Sequence, residues 1–543
     1  MYKLCFFGFE DYRQRRGLIL TSEDLESKTK KPSIKLLASS GIVSFWTFIS
    51  RILGLIRDIV FTSLLGAGVA LDTYVVITKI PNVFRRIFAE GAFNQAFVPV
   101  LSEYKEKNSE KEVKVLINNI FGILSSTLLL ITIIVLVITP VFVLIFAPGF
   151  YAEPIKRELA TGILRITFPY LFLVSLVALS GSILNTYGKF SIPALTPVFF
   201  NLVLVCTAVW IAPLQEVPVY ALAWGMFIAG CIQVLIQIYP LIKLRLLPKF
   251  KLNLKHPGVR KVMYLMVPGI IAGGVSQLNM LVDTILASFL PTGSPSWLYV
   301  SDRLMQLPLG IFAIAIATVI LPRLSSLHQT ESKKEFSKTI DWSIRLVLLA
   351  GFPAIIGLVV LSEPIILTLF ERGEFSIIDT SEASPSLIAL ALGLVAFMLI
   401  KVLTPGFFAR QNPQTPVKIA LASMLVNAVL AYLLAFYFGL NHVGLAIASS
   451  FAAYFGVFIL LAILLKNRIY QIQKGWFIFL SRLIISCLVM YVIVVWINID
   501  TSSWRELDQV TRFIKLLSIC LLAIISYISV LWVTGLRFSH LKG

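Results

Sequence analysis

The residue types able to do chemistry crowd into one stretch. From Ser50 to Tyr104 the chain reads SRILGLIRDIVFTSLLGAGVALDTYVVITKIPNVFRRIFAEGAFNQAFVPVLSEY, two apolar runs joined by the turn Gly66-Ala67-Gly68. Arg51, Arg57, Asp58, Asp72, Lys79, Arg85, Arg86 and Glu90 interrupt those runs. A charge at bilayer depth costs roughly 2.5–3.5 kcal/mol on insertion scales. Eight charges in two spans cannot face lipid, so they must line a shared polar interior. Asp72, Lys79 and Arg86 recur every seven residues. Two helical turns cover about 7.2 residues, so the three share one stripe. Arg51 and Asp58 have the same spacing, with Arg57 beside the latter. Pro81 removes a backbone hydrogen bond within the stripe and favours a bend there.

Further along, Asp302, Arg303 and Lys401 add charges to apolar segments. The intramembrane set is cationic: seven basic residues (Arg51, Arg57, Lys79, Arg85, Arg86, Arg303, Lys401) stand against Asp58, Asp72, Glu90, Asp283 and Asp302. A pocket with excess arginine wants an anion. Guanidinium groups grip phosphate bidentately and stay charged at physiological pH, which suits a diphosphate. A plainer use stays open for some of them. The adjacent pairs Arg57-Asp58 and Asp302-Arg303 can close ion pairs that gate the cavity, with Lys79, Glu90 and Lys401 as further gating candidates. Arg51, Arg85 and Arg86 can also snorkel to an interface. Asp283 and Asn427 fit either a weak monovalent-cation site or a helix–helix hydrogen bond. Trp210, Trp224, Trp297 and Trp476 stand near span ends and read as interfacial belts. No catalytic set is visible. The five cysteines and four histidines are dispersed, without CxxC or metal-ligand spacing, so no metal centre or cofactor is expected.

The elements that position these residues follow from composition. The chain is 58% hydrophobic and only 14% charged, where soluble domains are about 45–50% apolar and about 25% charged. Apolar runs of span length recur from end to end, which argues helices and not barrel strands. Fourteen are expected, near 36–64, 71–103, 115–146, 158–184, 192–212, 219–243, 263–289, 297–321, 346–370, 386–405, 417–436, 443–465, 476–497 and 512–534. The even-numbered connections hold 22 Lys and Arg, the odd-numbered ones only Lys156, Arg157, Arg372 and Arg505. The positive-inside rule then puts both termini in the cytoplasm. It also accounts for the net charge of +19 without nucleic acid.

A repeat sets the domains. Asp58, Ser63 and Leu65 recur as Asp283, Ser288 and Leu290, and Pro99-x-Leu101-Ser102 recurs as Pro322-x-Leu324-Ser325. Ala221-Leu222-Ala223 likewise faces Gly444-Leu445-Ala446. A near-constant offset of 223–225 residues implies a duplication. Six spans per copy is an even number, which predicts two lobes related by a pseudo-twofold along the membrane normal, with the site between them near the midplane. The expected organisation is a cytoplasmic tail (1–35), a first lobe (36–245), a second lobe (246–468) and two extra spans (469–543).

The runs SRILGLIRD at Ser50–Asp58, GAGVALD at Gly66–Asp72 and PNVFRRIFAEGAFNQAFVPVLSEY at Pro81–Tyr104 resemble the MurJ (MviN) family of lipid II flippases. The likeness continues through ILNTYGKFSIPA at Ile183–Ala194, SWLYVSDRLMQLPLGIF at Ser296–Phe312 and KVLTPGFFARQNPQTPVKIA at Lys401–Ala420. It covers the chain from about residue 36 onward and lies within the multidrug/oligosaccharidyl-lipid/polysaccharide exporter superfamily. The resemblance implies a non-enzymatic flippase of the bacterial inner membrane. It would carry undecaprenyl-diphosphate-linked disaccharide-pentapeptide from the cytoplasmic to the periplasmic leaflet by alternating access, for peptidoglycan and cell-shape maintenance. The family's required cavity charges correspond to Arg51, Arg57, Asp72, Arg85, Arg86 and Arg303. Its two extra C-terminal helices imply a groove for the prenyl tail. Two features depart from the pattern. Asp283 and Asn427 match two positions of a sodium site found in some members, but Ala431 stands where a second carboxylate belongs, and the N-terminal tail is about thirty residues longer than usual.

Lipid II and membrane lipids are therefore the expected partners, with peptidoglycan-synthesis proteins beside them. Coupling to membrane potential or to a monovalent cation would supply the drive. The alternative is an exporter of another lipid-linked oligosaccharide in the same superfamily. A drug exporter would favour carboxylates in its cavity. A membrane glycosyltransferase would need a large external loop, and the longest here is only about 15 residues.

Overall fold

The computed structural model describes residues 34–87, 92–498 and 503–536, and the regular elements among them are helices. The first half holds α1 (Ile34–Leu65), α2 (Val69–Arg85), α3 (Ala92–Lys107), α4 (Glu110–Val137), α5 (Thr139–Phe146), α6 (Pro148–Ala152), α7 (Pro154–Thr167), α8 (Tyr170–Thr186), α9 (Ser191–Cys206) and α10 (Pro218–Lys243). The second half holds α11 (Pro257–Ser288), α12 (Ser294–Pro308), α13 (Ile314–Gln329), α14 (Lys333–Val360), α15 (Ser362–Leu369), α16 (Ile377–Phe408), α17 (Gln414–Tyr432) and α18 (Asn441–Lys466). The chain ends in α19 (Trp476–Ile497), the short α20 (Ser503–Glu506) and α21 (Gln509–Val533).

Eleven stretches of the described residues are long and apolar enough to cross a membrane. The three expected spans outside that set correspond to α1, α2 with α3, and α11, which carry Arg51 to Arg86 and Asp283. Three of the expected segments break at or beside a proline. Pro140 sits in the first turn of α5, Pro169 separates α7 from α8, and Pro364 opens α15. A missing N–H and a steric clash one turn back make each a natural joint. Two starts are fixed by capping boxes, Ser109 with Glu112 for α4 and Ser376 with Asp379 for α16.

Local geometry repeats along with the sequence. The 28-residue α4 is followed by the 8-residue α5, and 223 residues later the 28-residue α14 is followed by the 8-residue α15. α9 and α17 each run into a π-helical turn, Thr207–Ile211 and Leu433–Tyr437.

The buried side chains fall into separate cores. Phe61, Ile77, Phe168 and Leu222 belong to one in the first half, and Ile344, Leu399 and Leu460 to one in the second. The last helices pack on the α14–α15 joint through Leu483, Trp504 and Leu361. Trp476, expected as an interfacial residue, donates from Nε1 to the buried Asp341 carboxylate at 2.7 Å. That carboxylate also accepts from Tyr470 Oη at 2.7 Å and Arg345 Nε at 2.7 Å. This fastens the 470–476 connection to α14. Trp210 and Trp224 are exposed, as a lipid-facing belt requires.

Close packing of the 244–256 connection on α4 depends on glycine at Gly122, where an added Cβ would lie 2.0 Å from the Lys251 carbonyl oxygen. Gly122→Ala is expected to lower the thermal unfolding midpoint of the purified chain, since overpacking costs about 1–3 kcal/mol. Gly357→Ala, which meets open space within α14, is the control and should not lower it.

Candidate functional site

Asp58 on α1 has none of its side chain exposed, and a carboxylate so placed needs cationic or donating neighbours. Arg57 supplies Nη2 at 2.6 Å and Nε at 3.0 Å. The second half supplies the rest: Tyr299 Oη donates to the same carboxylate at 2.6 Å, and Arg303 Nε forms an ion pair with it. Tyr299 and Arg303 are four apart on α12, so they share one helix face. Arg57 also donates to Asn201 Oδ1 at 3.0 Å, and Asn201 in turn donates to the Ser50 carbonyl at 3.0 Å. α1, α9 and α12 thus meet at one carboxylate.

Asp72 does different work. It is fully buried and accepts from Gly293 N–H at 2.6 Å, Ser296 N–H at 3.0 Å and Ser296 Oγ at 2.6 Å. Gly293 is the N-cap of α12 and has no side chain to cap it. Asp72 is the missing cap, lent by the first half, and its charge complements the positive end of the helix dipole. The sequence grouped Asp72 with the diphosphate contacts. Here it holds the two halves together.

The same end of the bundle is closed by backbone. Glu374 N–H donates to the Ser63 carbonyl at 2.9 Å, and Gly149 N–H to Ser288 Oγ at 3.1 Å. Gly66 and Gly373 have φ of +60° and +58° and face the opposite backbone directly. Trp297, also expected as an interfacial residue, packs inside this end: its Nε1 donates to Asp379 at 3.0 Å and its ring lies 4.9 Å from that of His442.

Away from that seal the charges open up. Side-chain exposure rises from 0% at Asp58 to 14% at Arg57 and 29% at Arg303, and Arg51 and Arg86 are exposed. Gly310 lies roughly 24 Å along the helix from Ser294 at 1.5 Å per residue. There the Arg51 guanidinium presses so close that a Cβ on Gly310 would meet Nη1 at 2.0 Å. Lys79 is under the charge of Asp302 and Asp283. Arg86 reaches Gln277 at 3.4 Å and its charge acts on Asp302, while Arg85 Nε donates to Asn82 at 3.3 Å. Asn427 donates to Asp283 at 2.7 Å and to Asn279 at 3.2 Å, joining α11 to α17. Lys401 is exposed and makes no ion pair among the described residues. Glu90 lies outside them. No group of three or more metal-ligating acidic, histidine or cysteine side chains occurs among the described residues.

Tyr299, Asn201 and Ser296 were not singled out from sequence. Tyr299 was findable, one turn before Arg303. Asn201 and Ser296 are ordinary polar residues whose roles exist only across the interface.

Charged side chains from both helical halves, packed together at one end and exposed towards the other, mark a multi-span membrane transporter. The chain belongs to the lipid II flippase MurJ family, whose model matches residues 61–514. It is 42% identical over 518 residues to the probable lipid II flippase MurJ of Vibrio cholerae, covering 94% of this chain and 98% of that one. It is 35% identical over 507 residues to the lipid II flippase MurJ of Burkholderia cenocepacia, covering 92% and 98%. Among solved structures, a lipid II flippase MurJ in an inward closed conformation superposes with a TM-score of 0.75 at 28% identity, covering 90% of this chain and 97% of that one. An inward-facing multidrug-resistance MATE transporter shares the fold, with a TM-score of 0.61 at 14% identity, covering 77% of this chain and 94% of that one.

Asp72→Ala leaves two buried N–H groups and a hydroxyl without their acceptor. The expected loss is roughly 3 kcal/mol or more, at about 1–3 kcal/mol for each unsatisfied buried donor. It should appear as a lowered thermal midpoint of the purified chain, with Asp72→Asn, which keeps one acceptor oxygen, falling between.

Proposed function

We propose that the chain is a lipid II flippase, carrying an undecaprenyl-diphosphate-linked precursor from the cytoplasmic to the outer leaflet of the bacterial inner membrane. The observation that carries the reading is Arg57 and Arg303, from opposite halves, converging on one buried carboxylate at the head of a cleft lined further down by Arg51 and Arg86. In this reading the chain has fourteen spans, α1, α2–α3 and α11 completing the eleven apolar ones. Residues 36–245 and 246–468 form two lobes related by a pseudo-twofold, a reading supported by the paired α4–α5 and α14–α15 breaks. Both termini are cytoplasmic, so the sealed end faces outward and the cleft opens inward.

The mechanism follows from competition. Arg51, Arg85 and Arg86 draw the diphosphate up the cleft. Near its head the diphosphate offers Arg57 and Arg303 a bidentate partner in place of Asp58. Asp58 then loses the charges that justify its burial, and the ion pair across the halves gives way. The halves rock and the substrate leaves outward, its prenyl chain staying in lipid because each buried methylene is worth about 0.8 kcal/mol. Lys79 and Asp302 close an alternate pair as the cleft changes shape. Release from arginine needs a drive. Membrane potential supplies about 2.3 kcal/mol per charge per 100 mV, and a monovalent cation at Asp283 and Asn427 is the other source. Residues 469–543 supply the groove for the prenyl tail, and peptidoglycan-synthesis proteins are natural neighbours.

The test is expression in cells depleted of their own flippase, with externally accessible lipid II read by an impermeant label. The native chain should restore the signal. Arg303→Ala should abolish it while the protein is still inserted at normal level, and full translocation by such a variant would remove the anion clamp.

A further inference from the structure

We propose that Arg505 is a positioning residue for the outer seal, tying the C-terminal helix pair to the segment that locks the two halves together. The proposal rests on the transport reading, in which that seal opens once per cycle.

The second half's side of the seal is the segment from Phe370 to Ser376, between α15 and α16. Its Glu374 N–H is bonded to Ser63 at 2.9 Å. A Cβ on Gly373 would lie 2.2 Å from the Ser63 carbonyl oxygen, and one on Gly66 would lie 2.6 Å from that of Glu374. Phe370 and Phe375 are fully buried beside Leu55, Ile59 and Ala67 of the first half. Whatever displaces this segment displaces the seal.

Behind it stands Arg505 on α20. Its Nη2 donates to Glu363 Oε1 at 2.8 Å in the first turn of α15, and its Nε lies 3.8 Å from Glu371 Oε1. Gln509 adds a hydrogen bond to the Thr368 carbonyl at 2.8 Å. The arginine is braced from its own side. Arg512 donates to the Trp504 carbonyl at 2.9 Å and the Arg505 carbonyl at 2.8 Å, and Trp504 itself is fully buried. The connection between α19 and α21 is therefore fastened to both ends of the 363–371 stretch.

That joint is half made. Arg505 Nε and Glu371 Oε2 are buried without a hydrogen-bond partner, although a guanidinium and a carboxylate can form two parallel bonds. A gap of 3.8 Å is about 1 Å beyond a good charge-assisted hydrogen bond, so a small shift of the segment makes or breaks it. Charge placement points the same way. Of the four basic residues in the odd-numbered connections, two, Arg372 and Arg505, belong to this acidic neighbourhood. The outer faces of α19 and α21 are strongly apolar, with Phe477 86% and Val533 81% exposed. Arg505 is the charged link between those helices and the seal segment, beside the Gln509 hydrogen bond and the apolar packing on Leu361.

The test uses the full chain with Ala67→Cys and its five native cysteines replaced. The rate of labelling by a membrane-impermeant maleimide, without lipid II, reads seal opening. Arg505→Gln is expected to raise the rate about three- to fivefold, the scale of a partly exposed ion-pair network. Glu371→Gln should raise it less, and the double variant should be no faster than Arg505→Gln alone. An unchanged rate in Arg505→Gln, or fully additive effects, overturns the proposal. If Arg505→Gln does not accumulate as folded protein, Arg505→Lys, which keeps the charge and loses the fork, is held to the same outcomes. Because labelling needs no substrate, a chain that shows these rates yet exposes no lipid II in cells keeps the coupling and loses the transport reading. Normal transport with unaltered labelling in Arg505→Gln does the reverse.

Discussion

Burying a carboxylate with no exposed surface is the constraint on which this structure turns. The effective penalty for taking an ion out of water is several kcal/mol even after relaxation, and Asp58 offsets it only by drawing charge from both halves of the molecule. Arg57 alone, its sequence neighbour, leaves one carboxylate oxygen to Arg303. The arrangement holds the halves together, and it does so conditionally. A hydrophobic contact in that place would be indifferent to ligand. An ion pair is not: the proposed mechanism uses this, with a diphosphate competing for the same guanidinium groups. In that proposal one interaction serves as a latch and as the sensor that releases it.

Around that latch the seal is made mostly of backbone. Asp72 caps α12 from the opposite half, Glu374 bonds to Ser63, and Gly149 bonds to Ser288. Such contacts are short and directional, and they stand beside one apolar contact, Phe370 and Phe375 against Leu55, Ile59 and Ala67. They suit an interface that must part and re-form. Aqueous exposure offsets each broken hydrogen bond, where parting a large apolar interface would have to be repaid at about 25 cal/mol per Å². The glycines belong to the same design. At Gly66 and Gly373 the backbone is left-handed and the facing chain leaves no room for a side chain.

Much of this is legible in the sequence for a physical reason. A charge inside an apolar run is expensive, so the mere presence of Arg51, Arg57, Asp58, Arg86 and Arg303 in such runs announces a polar interior. The seven-residue spacing of Asp72, Lys79 and Arg86 does not announce that the three part company. Asp72 reaches a helix end at the seal, while Lys79 and Arg86 face Asp302 and Gln277 deeper in the cleft. A shared stripe on a helix fixes direction and says nothing of what stands opposite. The tryptophans have partners that position alone does not show. Trp297 and Trp476 are interfacial by position, and each also gives its N–H to a carboxylate from another helix. Proline breaks at Pro140, Pro169 and Pro364 are readable in principle, but a hydropathy run passes over them.

The attachment of the last helices decides which parts can move as one body. Asp341 gathers Arg345, Tyr470 and Trp476, fixing the start of α19 to the start of α14. Arg505 and Gln509 fix the α19–α21 connection to α15, beyond the far end of α14. Fastened at both ends of one helix, the C-terminal pair cannot rock independently of the second half. The first half carries no such appendage among the described residues, and its ties to the second at the seal are the polar ones at Asp58, Asp72, Ser63 and Gly149 and the packing of Leu55, Ile59 and Ala67 on Phe370 and Phe375. Motion is therefore to be sought between the first half and a larger unit made of the second half with α19 and α21. That division puts the hinge where interactions are exchangeable and keeps the apolar faces of the last helices in fixed register with the strap from Phe370 to Ser376.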